Sequence, residues 1–360
     1  MERFKLRYFR SFLERANQID LKSWVAYIKE LEPRVRACYA NIIELTHDQL
    51  VKVILVDAAF ILELFWRCHF GANCRTDEDS VLLKPWLSTT LRMDLLLLEN
   101  QLPFFVLKKI FKRAFVSQQN RDFPSLLKFT FCYFADYNRE GLDHTANCGM
   151  EIKHFTDLLR KFHLPPMDKL SDRTDSDKVI HLHTAIELVG AGLKFKVASS
   201  KKYLLDLKFS NKVLEIPQLV VDDHTDTLFR NILAFEQFHC PDKSYILDYI
   251  GTMDFLINTA QDVEILVQKG IMVNWLGDHD AAANLFNNLL ENIIYANLNV
   301  HYLQLYEDLN AFYNNPFNKG IATLKRDYCN TPWKKVATVA AIFLLLLTVV
   351  QTIFSVKSAI

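Results

Sequence analysis

Apolar residues recur every three to four positions along most of this chain, and that period predicts a helical body. Phe4, Tyr8 and Phe12 form one stripe and Leu6, Phe9 and Leu13 another, with Arg, Lys and Glu between them, the spacing of an amphipathic helix. Trp24, Ile28 and Leu31 continue the pattern as far as Pro33, which is expected to interrupt it. Further helices are predicted over about 35–45 and 47–68, followed by a loop-like stretch at 69–90. Pro103 divides residues 92–115, and a helix starting there carries Phe104, Leu107, Phe111 and Ala114 on one face. Lys108, Lys109, Lys112 and Arg113 make its opposite face. More aromatic helix, with Phe129, Phe131, Tyr133 and Phe134, leads on toward Leu164.

One stretch changes period. Leu205, Leu207 and Phe209 alternate with polar residues, and Leu214 and Ile216 do so after a turn at Asn211-Lys212. That reads as a β-hairpin. Residues 194–197 are placed as a third strand, and Pro217 ends the second strand's pairing or puts it at an edge. Helix then resumes, with Leu228, Ile232, Phe235 and His239 on one stripe and Thr225 or Asp226 as N-cap. Helices over about 244–258 and 260–269 follow, then a long one over about 278–313.

The strongest signal is the last. Residues 336–356, VATVAAIFLLLLTVVQTIFSV, hold no charge, Gly or Pro, and lysines bound them at Lys335 and Lys357. About twenty apolar residues in helix rise about 30 Å, the thickness of a bilayer's hydrocarbon core. Val336, Phe343, Leu345, Val350 and Val356 mark the expected span. Its threonines can bond back to the helix's own carbonyls. The competing reading is a buried core helix, which is seldom so long and so uniformly apolar.

The expected fold is therefore mainly α: a multi-helix body, a small hairpin or three-stranded sheet at about 194–221, and one C-terminal transmembrane helix. The expected divisions are a helical half at 1–164, a polar linker or exposed loop at 165–178, a second half with the hairpin at 179–331, and the span at 336–356.

Charge adds a side of the membrane. Lys319, Lys325, Arg326, Lys334 and Lys335 precede the span and Lys357 alone follows it. The positive-inside rule then places the body in the cytosol, as a single-pass, tail-anchored protein of the plasma membrane or an endomembrane. Seven scattered Cys without a CxxC, and no Asn-x-Ser/Thr sequon, agree with a reducing compartment. The charged N-terminus lacks the apolar core of a secretory signal. Lys+Arg and Asp+Glu balance at 42 each, so no global field draws in nucleic acid. Trp333 is expected at the interface, and Cys329 beside the span is a candidate for lipidation.

Chemistry is sparsely signposted. No GxGxxG, GxxxxGK[ST], GxSxG, HExxH or HRD occurs, and neither a cofactor nor a catalytic set is expected. Asp57 and Glu63 in an apolar helix are open to acid–base chemistry or to pairing with Arg or Lys. Asp222, Asp223 and His224 mark a strand end or a site. Cys68, His69 and Cys74 lack the further ligands a zinc site needs. The basic face at 108–113 suits an anionic leaflet or simply a solvated surface.

Several stretches, in order, resemble the plant domain-of-unknown-function 247 family. They are VDAAFILELF at 56–65, DLLLLENQLPFFVL at 94–107, ELVGAGLKFK at 187–196, residues 204–237, MDFLINTAQDVEIL at 253–266, GIMVNWLG at 270–277 and ATLKRDYCNTPW at 322–333. The chain departs from the family in beginning after the usual N-terminal segment, and in carrying Asn211-Lys212 where an Asn-Gly turn is usual. The resemblance implies a mostly helical plant protein with one C-terminal transmembrane helix and no catalytic residues to carry over. Some grass members act in pollen-side self-incompatibility, a recognition role that nothing in these residues assigns to this chain. The expected function is a membrane-anchored, non-catalytic module that binds an unknown protein partner. The alternatives are an enzyme using Asp57, Glu63, Asp222 or Glu236, and a protein that binds a lipid surface.

Overall fold

The computed structural model describes residues 2–16, 19–71, 84–115, 123–138, 141–143, 150–165, 170–174, 180–198, 203–294, 297–328 and 332–359. Its α-helices are α1 (Glu2–Arg15), α2 (Leu21–Arg36), α3 (His47–Phe70), α4 (Pro85–Asp94), α5 (Phe104–Ala114), α6 (Leu126–Tyr133), α7 (Phe155–His163), α8 (Ala185–Gly190), α9 (Thr225–His239), α10 (Tyr245–Leu256), α11 (Ala260–Gln268), α12 (His279–Leu289), α13 (Val300–Asn314), α14 (Pro316–Tyr328) and α15 (Pro332–Ala359). The strands are β1 (Lys194–Val197), β2 (Lys208–Ser210), β3 (Val213–Ile216), β4 (Leu219–Val221) and β5 (Met272–Asn274). The mainly helical class with a small three-stranded sheet and an apolar C-terminal helix is as the sequence pattern predicts.

Two compact units emerge. The first is Met1–Leu164 with His224–Cys240, and the second is Pro165–Asp223 with Pro241–Ile360. Thus α9 belongs with the N-terminal helices.

In the first unit α3 is central. Thr46 and Gln49 close a capping box at its start, and Gly71 follows its end at φ 59°, a conformation glycine adopts without Cβ strain. Helices α1, α2, α5 and α6 pack around it. Ala58 and Ala59 are fully buried and let neighbours approach closely. The abundant Phe fills this core: Phe65 sits 4.7 Å from Tyr133, and Trp66 stacks on Phe115 at 5.0 Å between ring centroids. Burying each such side chain contributes about 1.5–3 kcal/mol. Pro33 does not end α2, which runs on to Arg36, and the helix expected over 35–45 does not form. One turn past the proline, the backbone leaves the helix, and Arg36 bonds the carbonyls of Ile43 and Leu45 instead.

The second unit holds both sheets. In the first sheet β3 lies between β1, parallel to it, and β2, antiparallel. The hairpin turn puts Asn211 at φ 49° and Lys212 at φ 63°, the two positive angles of a type I′ turn. Pro217 ends β3, and the chain then changes sheets: β4 pairs in parallel with β5. Helix α10 is buried nearly all round, and Thr252 Oγ1 lies 2.9 Å from the hydroxyl of Tyr306 on α13. The long helix expected over 278–313 is two, α12 and α13. Asn292 and Asn297 take positive φ in the connection, a left-handed conformation that Asn tolerates better than most residues.

Candidate functional site: the apolar C-terminal helix and the buried carboxylates

Pro332 lies in the first turn of α15, where its missing N–H costs no helical bond. From Val336 to Val356, 21 residues form one helical stretch with none of it buried. Phe343 is 61% exposed and Leu345 67%, so this is not a core helix of the chain. Its three threonines bond within the helix: Thr338, Thr348 and Thr352 donate to the carbonyls of Lys334, Leu344 and Thr348 at 2.8, 2.8 and 2.7 Å. Such back-bonding removes the cost of carrying a hydroxyl into hydrocarbon. Helix α15 is long and apolar enough to cross a membrane. Cys329 lies outside the described residues.

Three of the four carboxylates considered for chemistry take separate cationic partners. Asp57 takes a salt bridge from Lys5 at 2.6 Å. Glu63, fully buried, is held by two guanidinium groups. Arg15 donates to its two oxygens at 2.8 and 3.1 Å, and Arg67, one helical turn on, donates at 2.7 Å. Arg15 also lies over the Trp66 ring and Arg67 over that of Tyr8. Glu236 on α9 accepts from Arg160 on α7 at 2.6 Å. Asp222 falls in the second unit, after β4. The guanidinium partners of Glu63 and Glu236 offset the cost of burying those two charges. Among the described residues no cluster of His, Cys, Asp and Glu could hold a metal ion; Cys74 lies outside them.

At the Asp222-Asp223-His224 corner, His224 occupies the N-cap position of α9 without a side-chain cap. Asp226, in the first turn, pairs with Arg230 at 2.8 Å. The basic face of α5 is solvated at Lys108, Lys109 and Lys112, while Arg113 sits 4.3 Å over the Tyr27 ring. The apolar face opposite is occupied by the core: Val106, Leu107 and Ile110 have no exposure.

Two buried carboxylates of the second unit, Asp248 and Asp262, also hold elements together. Arg173 reaches Asp248 on α10 at 3.2 Å, and the backbone N–H of Asn299 reaches the same carboxylate at 3.2 Å. Asp262 accepts from the Ile186 N–H at 2.9 Å and from Thr259 at 2.8 Å, tying α8 to the start of α11. The capping spacing of Thr259 and Asp262 is a readable signal; the pairing of Arg173 with Asp248, 75 residues apart, leaves none.

These features define a mainly helical protein with paired interior charges and one helix suited to a membrane. The chain belongs to the family described as plant protein of unknown function, DUF247, whose pattern matches residues 1–347. It is similar to the Arabidopsis thaliana UPF0481 protein At3g47200, with 27% identity over 384 residues that cover 99% of this chain and 79% of the relative. It is also 21% identical to a second UPF0481 protein of that plant, At3g02645, over 98% of this chain and 82% of the relative. No solved structure matches it.

Proposed function

We propose that this chain is a non-catalytic recognition module held at the cytosolic face of a plant membrane by α15. The observation that carries the reading is the 21-residue apolar helix that the described residues leave uncovered. Left in water, so much hydrocarbon would drive aggregation; in a bilayer it is at its free-energy minimum. The excess of Lys and Arg before the span supports a cytosolic body. Binding rather than catalysis is supported by the engagement of Asp57, Glu63 and Glu236 in ion pairs and by the lack of a known catalytic motif. The plasma membrane or an endomembrane is the host, and the partner is another protein.

Appending a glycosylation sequon beyond Ile360 tests the orientation. A glycan on the inserted protein is expected, and its absence overturns the cytosolic placement. Proximity labelling from the N-terminus in plant cells tests the recognition role. A saturable set of cytosolic-face proteins is expected; labelling no richer than that of a bare membrane anchor contradicts it.

A further inference from the structure

Helix α14 ends at Tyr328, and α15 begins at Pro332. The intervening residues 329–331 reach about 14 Å even when fully extended. The helical turn from Pro332 to Val336 adds about 6 Å. If α15 crosses a bilayer, the C-terminal end of α14 is therefore held within about 20 Å of its hydrocarbon core.

This helix exposes apolar groups there. Phe317 is 72% exposed and Leu324 46%. They are seven residues apart, two helical turns, and so lie on one face. Gly320 between them is exposed, and a Cβ there would meet nothing within 4 Å. The helix is partnered elsewhere: it packs on α8 and α13, and its buried Asn318 donates to the Phe312 carbonyl at 2.8 Å. Lys319, about 160° around the helix from Phe317 at ~100° per residue, is solvated. Trp333, at the start of α15, is 84% exposed. From Phe317 to Lys335 the chain carries Lys319, Lys325, Arg326, Lys334 and Lys335 against the single acid Asp327.

We infer that α14 is an interfacial helix, lying on the leaflet that α15 enters, with Phe317 and Leu324 in the boundary between headgroups and acyl chains. An apolar stripe on a basic helix is the pattern of such elements, and basic residues beside a span favour the anionic lipid of the cytosolic leaflet. The second unit is then seated on the membrane by a second contact instead of swinging on a tether. The inference rests on α15 being a membrane span.

Photoreactive benzoylphenylalanine, introduced at Phe317 or Leu324 of the full chain in phosphatidylcholine vesicles containing phosphatidylserine, tests it. The same group at Phe343 reports the span, and at Lys319 the opposite side of α14. Lipid adducts are expected at Phe317, Leu324 and Phe343 and not at Lys319. An adduct at Phe343 with none at Phe317 and Leu324, or with equal yield at Lys319, overturns the interfacial helix and leaves the span intact. No adduct at Phe343 removes both.

Discussion

Arg160 Nε lies 2.6 Å from Glu236 Oε1, with the carboxylate fully buried and the guanidinium nearly so. The two residues are 76 positions apart, and their pairing fixes α9 on α7 in the first unit. Removing one partner leaves a buried charge uncompensated, at a cost of about 3–5 kcal/mol. Arg160→Met is expected to lower the thermal midpoint of the purified chain sharply. Adding Glu236→Leu to it is expected to restore much of the loss, because an apolar pair needs no solvation. Chemical denaturation of both variants checks this; an Arg160→Met protein as stable as the parent contradicts it.

The hairpin turn places a lysine where glycine is at ease. Lys212 holds φ 63° on an exposed corner, and a left-handed conformation costs an ordinary residue about 1–2 kcal/mol. Glycine loses part of that advantage through its freer unfolded chain. Lys212→Gly is therefore expected to stabilise by about 0.5–1 kcal/mol, read as a higher denaturation midpoint with an unchanged slope.

His154 caps α7: its Nδ1 accepts from the Asp157 N–H at 3.3 Å, and its ring meets Phe235 edge-on at 4.6 Å. Burial pushes its pKa down from 6.5 to about 4, with nearby Asp157 partly opposing. The unfolded chain thus takes up a proton near pH 6.5 that the folded chain refuses until about 4. Stability from this group is present above that window and lost as pH falls through it, by about 3 kcal/mol in all. His154→Asn, which keeps a cap without a titrating ring, is expected to flatten the stability profile between pH 4 and pH 6.5. An unaltered profile contradicts the assignment.

Asp254 shows the opposite sign. Burial raises its pKa from 3.8 to about 6, so the folded state holds the proton more tightly than the unfolded. Stability is greatest below the lower value and falls as pH rises through this window. After allowance for its partial exposure, the loss is about 1 kcal/mol. Asp254→Asn is expected to recover that amount at neutral pH and to change nothing in acid, as urea titrations at the two pH values would show.

Where local chemistry decides, the sequence is a good guide. The turn at Asn211-Lys212 and the alternation around it locate the hairpin, although Leu205 and Leu207 precede β2, and β1 joins it in register, Phe195 beside Leu214. The apolar run ending at Val356 is legible as one long apolar helix for the same reason, from length and composition alone. Long-range effects defeat the reading. Pro33 lies inside α2, which continues past it for one turn to Arg36. Strands β4 and β5 are three residues each and pair across 53 positions of chain, Leu219 with Met272, too short to carry a period. Glu63 and Glu236 look like candidates for acid–base work because their arginine partners come from other helices or from distant sequence; only Arg67, four residues from Glu63, is visible beforehand.

Residues 336–356 are proposed to hold the chain in a bilayer. An arginine at the middle of a span costs about 2.5–3.5 kcal/mol. Alkaline carbonate extraction of membranes carrying the full chain, beside a variant with Leu345→Arg and Val350→Arg, tests the claim directly. The parent chain is expected in the membrane pellet and the double variant in the soluble fraction. Release of the parent chain by carbonate, or identical partitioning of the two, contradicts it.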